Sequence, residues 1–161
     1  MSATGKGASG DQSKPSSPFP FTVEMTATAE RVYMDLYRKC KTAESLGHPE
    51  SIHCKVFHIV EEAIKKIIPH DPLNKSHALR GNLSNIFRLR KRRMRIMWIA
   101  SSARRRVCIL FISETARKEG DRNDPYEIFE DLLDSGVFDQ TLQELGVRRA
   151  AAKHKKLNPP Q

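Results

Sequence analysis

Apolar positions recur every three or four residues in the first half of the chain and every second residue in its middle. Ala29, Tyr33, Leu36, Cys40 and Ala43 make one helical stripe; Ile52, Val56, Ile59, Ala63 and Ile67 make a second. Gly47 ends the first helix, Pro49 suits the first turn of the next, and Pro69 ends that one. So short a link predicts an antiparallel helical hairpin. The period then falls to two. Ile86–Arg90, Met94–Ser101 and Arg106–Ser113, rich in β-branched and aromatic residues, read as three strands of an antiparallel meander, with Leu79–Leu83 as a short optional fourth. Asp124-Pro125-Tyr126-Glu127 is a helix start: Asp124 caps, Pro125 fits the first helical position, and Glu127 reaches back toward the cap. Ile128, Phe129, Leu132 and Leu133 give that helix its packing face and Gly136 ends it; a last short helix runs through Leu142 to Leu145.

These elements predict an α+β fold. An N-terminal antiparallel helical hairpin packs on a three- to four-stranded, mainly antiparallel sheet, and a C-terminal helix follows. The helices are expected to cover one face and leave the other open to a ligand. Residues 1–18, made of Ser, Gly, Thr, Pro and a few charges, read as a disordered tail. Residues 19–147 form a single domain and 148–161 a flexible basic tail. No apolar run reaches the roughly 18 residues of a membrane span, and the N-terminus lacks an apolar signal block, which points to the cytoplasm. The three cysteines, Cys40, Cys54 and Cys108, are odd in number and widely spaced, so they read as reduced core residues.

Charge changes this picture. The net charge is +9, but it is not spread evenly. Between Pro72 and Ser113 there is no Asp or Glu, yet there are eleven Lys and Arg, which marks this block as a polyanion surface. Strand alternation sorts it: Arg88 and Arg90 share a face with Ile86, and Arg95 shares one with Met97 and Ile99. Phe87 and Leu89, and Met94, Ile96 and Trp98, face the other way. Lys91, Arg92 and Arg93 fill one turn, and Arg104 and Arg105, with Arg106 beside them, fill the next. Guanidinium groups bind phosphate through paired donors and stay charged. With Trp98 and Tyr126 as stacking groups, this surface suits RNA. The bland alternative is that the arginines only solvate strand edges. Ten Lys and Arg from Arg80 to Arg106 with no intervening acid exceed that need.

RNA can be cut without metal when its own 2′-hydroxyl attacks the adjacent phosphorus. The protein must supply a base, an acid and cations for the phosphoryl charge. The block supplies the cations but no carboxylate base. Proton transfer falls to His77 or Tyr126, or to a lysine or arginine in unusual surroundings; a loop histidine exposed to solvent is the plainer reading of His77. Cys54 and His58 lie one helical turn apart with His53 adjacent, but no matching second pair is visible in the sequence, so no metal and no cofactor are assigned. There is no phosphate-binding glycine loop and no nucleophile elbow. Glu127, Glu130, Asp131 and Asp134 read as the solvated face of their helix, or as a surface for a basic partner.

The basic strands with Arg88, Arg90 and Arg95 are followed by Val107-Cys108-Ile109-Leu110-Phe111-Ile112, then Arg117-Lys118-Glu119-Gly120-Asp121, then Asn123-Asp124-Pro125-Tyr126 and Phe129. This series resembles the YhaV-type toxins of type II toxin–antitoxin systems, within the RelE-like superfamily, over roughly residues 21–136. The resemblance implies a RelE-like fold and a cytoplasmic, metal-independent endoribonuclease that cleaves mRNA and inhibits translation. It also implies a cognate antitoxin, and leaves the ribosome open as a further partner. Carried over by position, Arg95 matches the recurring arginine of the second core strand, Arg88 and Arg90 match the basic strand before it, and Tyr126 matches the recurring aromatic of the Asp-x-Tyr segment. Arg95, Arg88, His77 and Tyr126 are then the catalytic candidates. Arg80, Arg90, Lys91, Arg92, Arg93, Arg104, Arg105 and Arg106 are the RNA-binding ones. The sequence departs from the family at the Lys91-Arg92-Arg93 turn, which lacks a glycine, and at Ile112-Ser113-Glu114-Thr115, where relatives carry a Trp and an Asn-Asp pair. The competing readings are a non-catalytic RNA- or ribosome-binding module and a purely regulatory protein.

Overall fold

The computed structural model describes residues 20–114 and 124–149. The tail expected at residues 1–18, the stretch Arg117–Asp121 with Asn123, and the tail beyond Arg149 lie outside them. Strand β1 (Thr22–Met25) leads into helix α1 (Ala27–Ser45), and α2 (Ile52–Glu62) returns beside it, continuing as a π-helical turn over Ala63–Ile67. Strands β2 (Phe87–Lys91), β3 (Met94–Ser101) and β4 (Arg106–Glu114) follow, then α3 (Pro125–Asp134) and α4 (Asp139–Glu144). The strand order is β1-β4-β3-β2; β1 is parallel to β4 and the other pairs are antiparallel. None of the described helices is long and apolar enough to cross a membrane.

The predicted elements are present, with four differences. The fourth strand is β1, whose four residues are too few to show a period. Leu79–Leu83 instead makes one bridge flank and a 3-10 turn: Ala78 bridges Phe87, and Gly81–Leu83 coils. The stripe of the second helix is rotated. Cys54, Val56, Phe57 and Val60 are buried, whereas Ile52 is 51% exposed. Ser51, not Pro49, sets this helix's start, its side chain accepting from Cys54 N–H. Finally, Cys40 and Cys54 are joined as a disulfide, with Cα atoms 4.4 Å apart, so the expectation of three reduced thiols fails. The turn that follows Gly47 brings the two cysteines face to face on adjacent helices, a proximity that sequence separation conceals.

Both faces of the sheet are covered, which corrects the expectation of one open face. On one side, the hairpin residues Leu36, Val56, Phe57 and Val60 pack with Met94, Ile96, Trp98, Ile109 and Ile112. On the other, Phe129, Leu133, Phe138 and Leu142 pack with Met97, Ile99, Leu110 and Phe111. Phe129 sits between Phe111 and Phe138, with ring centroids at 5.6 and 5.8 Å. Cys108 belongs to this second layer, and burial pushes its thiol pKa up to about 12.

Strand β4 serves two cores because it carries a bulge. Met97 pairs with Phe111 and Trp98 with Ile109, so Leu110 is the extra residue. Its carbonyl is met by the hydroxyl of Thr26, which donates at 2.7 Å. The same oxygen caps α1 by accepting from Ala29 N–H at 3.1 Å. Thr26→Ala removes a cap and a partner for the bulge carbonyl together, and is expected to cost about 2–4 kcal/mol in urea unfolding. Thr26→Ser should recover most of it. A loss below about 0.5 kcal/mol for the alanine variant would show that the bulge holds without this contact.

Candidate active site

The site lies where the cover of the second face ends. Arg90 pairs with Arg95 and Arg88 with Met97 across β2 and β3, so the three arginines share the face that carries Met97 and Ile99. Ser113 pairs with Arg95 from β4 and joins the same face. Helix α3 supplies the remaining group. Asp124 accepts from Tyr126 N–H at 2.8 Å and Pro125 takes the first helical position, which starts the helix beside these strands. Tyr126 and Phe129 are three residues apart, so anchoring Phe129 in the core sets Tyr126 at the rim.

Tyr126 and the arginines form one cluster. Arg88 Nη1 donates to the Tyr126 hydroxyl, and its guanidinium lies 5.6 Å from the phenol centroid. Arg95 Nη1 donates to the carbonyls of Arg92 at 3.0 Å and Met94 at 3.1 Å. Arg92 holds a positive φ of 53° in the two-residue turn between β2 and β3, so Arg95 braces a left-handed turn that lacks the glycine such turns favour. Arg95 Nε is buried and has no hydrogen-bond partner among the described residues. Burial first, then the positive charge of Arg90, lowers the Arg95 pKa; Tyr126 opposes this and Arg88 adds to it. Among the described residues, the groups that act on Arg95 are thus two like charges and a phenol. The arrangement is a cationic surface with one phenol and an unsatisfied donor, fitted to an oxyanion.

The other sequence candidates fall elsewhere. Trp98 is 1% exposed and donates from Nε1 to the Pro72 carbonyl at 2.8 Å, so it is core rather than a stacking group for a base. His77 packs edge-on to Trp98 at 5.9 Å, and so belongs to the hairpin side of the sheet, away from the arginine face. Lys91, Arg92 and Arg93 are exposed at the near turn, and Arg80 is exposed at the start of the Gly81–Leu83 turn. Arg104, Arg105 and Arg106 lie at the far end of β3 and β4, six residues from Arg95 along β3 by the Ser101–Arg106 pairing, which is roughly 20 Å. There Arg106 meets Glu24 at 2.5 Å and Arg105 covers the Phe21 ring at 4.5 Å. Arg149 pairs with Asp134, and the Arg148 carbonyl accepts from Asn85 at 3.0 Å. Sequence reading missed Ser113 and the bracing role of Arg95; the strand register is the signal for the first.

No curated protein sequence matches the chain significantly. Among solved structures it is similar to the toxin–antitoxin complex RelBE2 from Mycobacterium tuberculosis, with 23% identity, a TM-score of 0.46, and 63% of this chain and 98% of that one covered. It is also similar to the isolated E. coli RelE toxin, with 9% identity, a TM-score of 0.44, and 71% and 97% covered. The sequence profile of the YhaV toxins, described as a toxin with endonuclease activity of a toxin–antitoxin system, matches residues 23–150. The chain therefore belongs to the YhaV family of endonuclease toxins.

Proposed function

We propose that this toxin is a metal-independent endoribonuclease acting on messenger RNA in the cytoplasm, with Arg88, Arg90, Arg95 and Tyr126 gathered around the scissile phosphate. The observation that carries the reading is the cluster itself: three guanidinium groups and a phenol on one sheet face, with the buried Nε of Arg95 unpartnered among the described residues. An orphaned buried donor is costly, and a phosphoryl oxygen would satisfy it.

In this reading the 2′-hydroxyl attacks the adjacent phosphorus, the 5′-oxygen leaves, and a 2′,3′-cyclic phosphate forms. Arg95 and Arg88 stabilise the charge that grows on the non-bridging oxygens. Tyr126 is the proton-transfer candidate within reach, because its hydroxyl already meets Arg88. Arg90, exposed beside them, orients the backbone. Lys91, Arg92, Arg93 and Arg80 widen the attractive surface. Arg104, Arg105 and Arg106 can touch only flanking nucleotides, and two of them are already engaged with Glu24 and Phe21. His77, on the hairpin side, takes no part in proton transfer. The cognate antitoxin would neutralise the toxin by laying acidic groups over the arginine face.

Arg95→Ala is expected to slow RNA cleavage about 10²–10³-fold. Because Arg95 also braces the β2–β3 turn, thermal unfolding must be measured beside activity, and Arg88→Ala serves as a second variant that leaves the turn intact. Wild-type rates in both variants would remove the arginines from the chemistry. Tyr126→Phe keeps the ring and loses the hydroxyl. A fall in kcat with little change in KM is expected, together with a shifted pH–rate profile; an unchanged kcat would leave the phenol a purely structural role. Cleavage should persist in EDTA. RNA that is bound yet stays intact, with and without ribosomes, would favour the binding-module reading.

A further inference from the structure

The helical hairpin carries a second constellation, on the side of the sheet opposite the arginines. Cys40 and Glu44 are one turn apart on α1, and Cys54 and His58 are one turn apart on α2. Sequence reading found only the second pair; the fold supplies the first. The Cys40 sulfur, a Glu44 carboxylate oxygen and a His58 ring nitrogen all lie within 4.8 Å of one another. Cys54 lies outside that group of three; its sulfur is bonded to that of Cys40, and reduction would free both sulfurs to part and let Cys54 turn in as the fourth donor. Both cysteines are buried, at 2% and 1% exposure, while Glu44 and His58 close the cluster from the solvent side.

We propose that the reduced hairpin holds a zinc ion between Cys40, Cys54, His58 and Glu44. The donor set is two sulfurs, one imidazole and one carboxylate, which matches zinc in number and softness and does not match magnesium or calcium. A tetrahedral zinc shell keeps its donor atoms roughly 3.3–3.8 Å apart. The three grouped donors need only a small contraction, and Cys40 Sγ already lies 3.5 Å from Glu44 Oε1. The competing contact is Lys41 Nζ, 3.3 Å from Glu44 Oε2, an exposed pair that costs little to break.

Disulfide and metal exclude each other at this site. Two equivalents of a small thiol reduce the disulfide, giving two cysteine thiols and one oxidised thiol pair. Zinc then binds the two thiolates and displaces their two protons. The hairpin is thus cross-linked in either state, by a covalent bond or by a cation. The site is remote from the arginine surface, so this inference stands whether or not the nuclease reading does.

The test uses Co²⁺ as the spectroscopic probe on the full chain, reduced and then freed of thiol under anaerobic conditions. One cobalt per chain is expected, with a sulfur-to-cobalt charge-transfer band that Zn²⁺ abolishes by displacement. The oxidised protein should show no band. His58→Ala and Glu44→Ala change exposed side chains and should leave the far-UV spectrum intact. Each should weaken cobalt binding at least about tenfold, in the range that even outer partners of a metal carry. His53→Ala is the control and should bind as the wild type does. No charge-transfer band in the reduced protein would overturn the proposal, as would a band whose affinity is unchanged in both the His58 and Glu44 variants.

Discussion

The bulge at Leu110 is the constraint on which the rest of the molecule turns. A strand buried on both faces must divide its side chains between two cores, and strict alternation would divide β4 differently. Counting from Trp98 opposite Ile109, an unbroken ladder would set Ile112 across from Arg95. The extra residue moves Ile112 to the hairpin core, where it is 1% exposed, and brings Ser113 beside Arg95 instead. Such a bulge leaves a backbone carbonyl outside the regular ladder, and Thr26 meets it while capping α1. One hydroxyl thus couples the placement of the helical hairpin to the register at the arginine site.

At that site the molecule gathers charge where most folds disperse it. Arg88, Arg90 and Arg95 repel one another, and among the described residues none of the three forms an ion pair with a carboxylate. The fold gives two of them neutral acceptors instead. Arg95 is held by two turn carbonyls and Arg88 by a phenol. These contacts fix the guanidinium groups without neutralising them, which is what the proposed cleavage of a phosphodiester requires. An aspartate in the same place would hold them equally well but repel a phosphate.

Much of this was legible in the sequence. The helical hairpin, the three-strand meander, the Asp-Pro-Tyr helix start and the common face of Arg88, Arg90 and Arg95 all follow from period, caps and alternation. What was not legible depends on contacts between distant segments. β1 is a strand only because β4 is there to pair with it. Trp98 sits among basic residues, where it resembles a stacking platform, until the Pro72 carbonyl is brought to its indole nitrogen. Cys40 and Glu44 complete the Cys54–His58 pair only once the hairpin has closed. The second cover of the sheet has no sequence signature, since α3 carries the same kind of apolar stripe whichever face it packs on. Nothing in the periodicity of a helix says to which face of a sheet it will bind.

That last choice is what makes the site. Three of its four principal groups are ladder positions on β2 and β3, and only Tyr126 arrives from outside the sheet. Its position depends on two anchors of different kinds. Asp124 fixes where α3 begins, and Phe129, fully buried between Phe111 and Phe138, fixes how the helix is rotated. Tyr126 lies three residues before Phe129, on the same helical face, so the packing that buries one presents the other to Arg88. Core packing and site geometry are therefore one constraint here. A change that reorients α3 would leave the cationic face in place and take away its phenol.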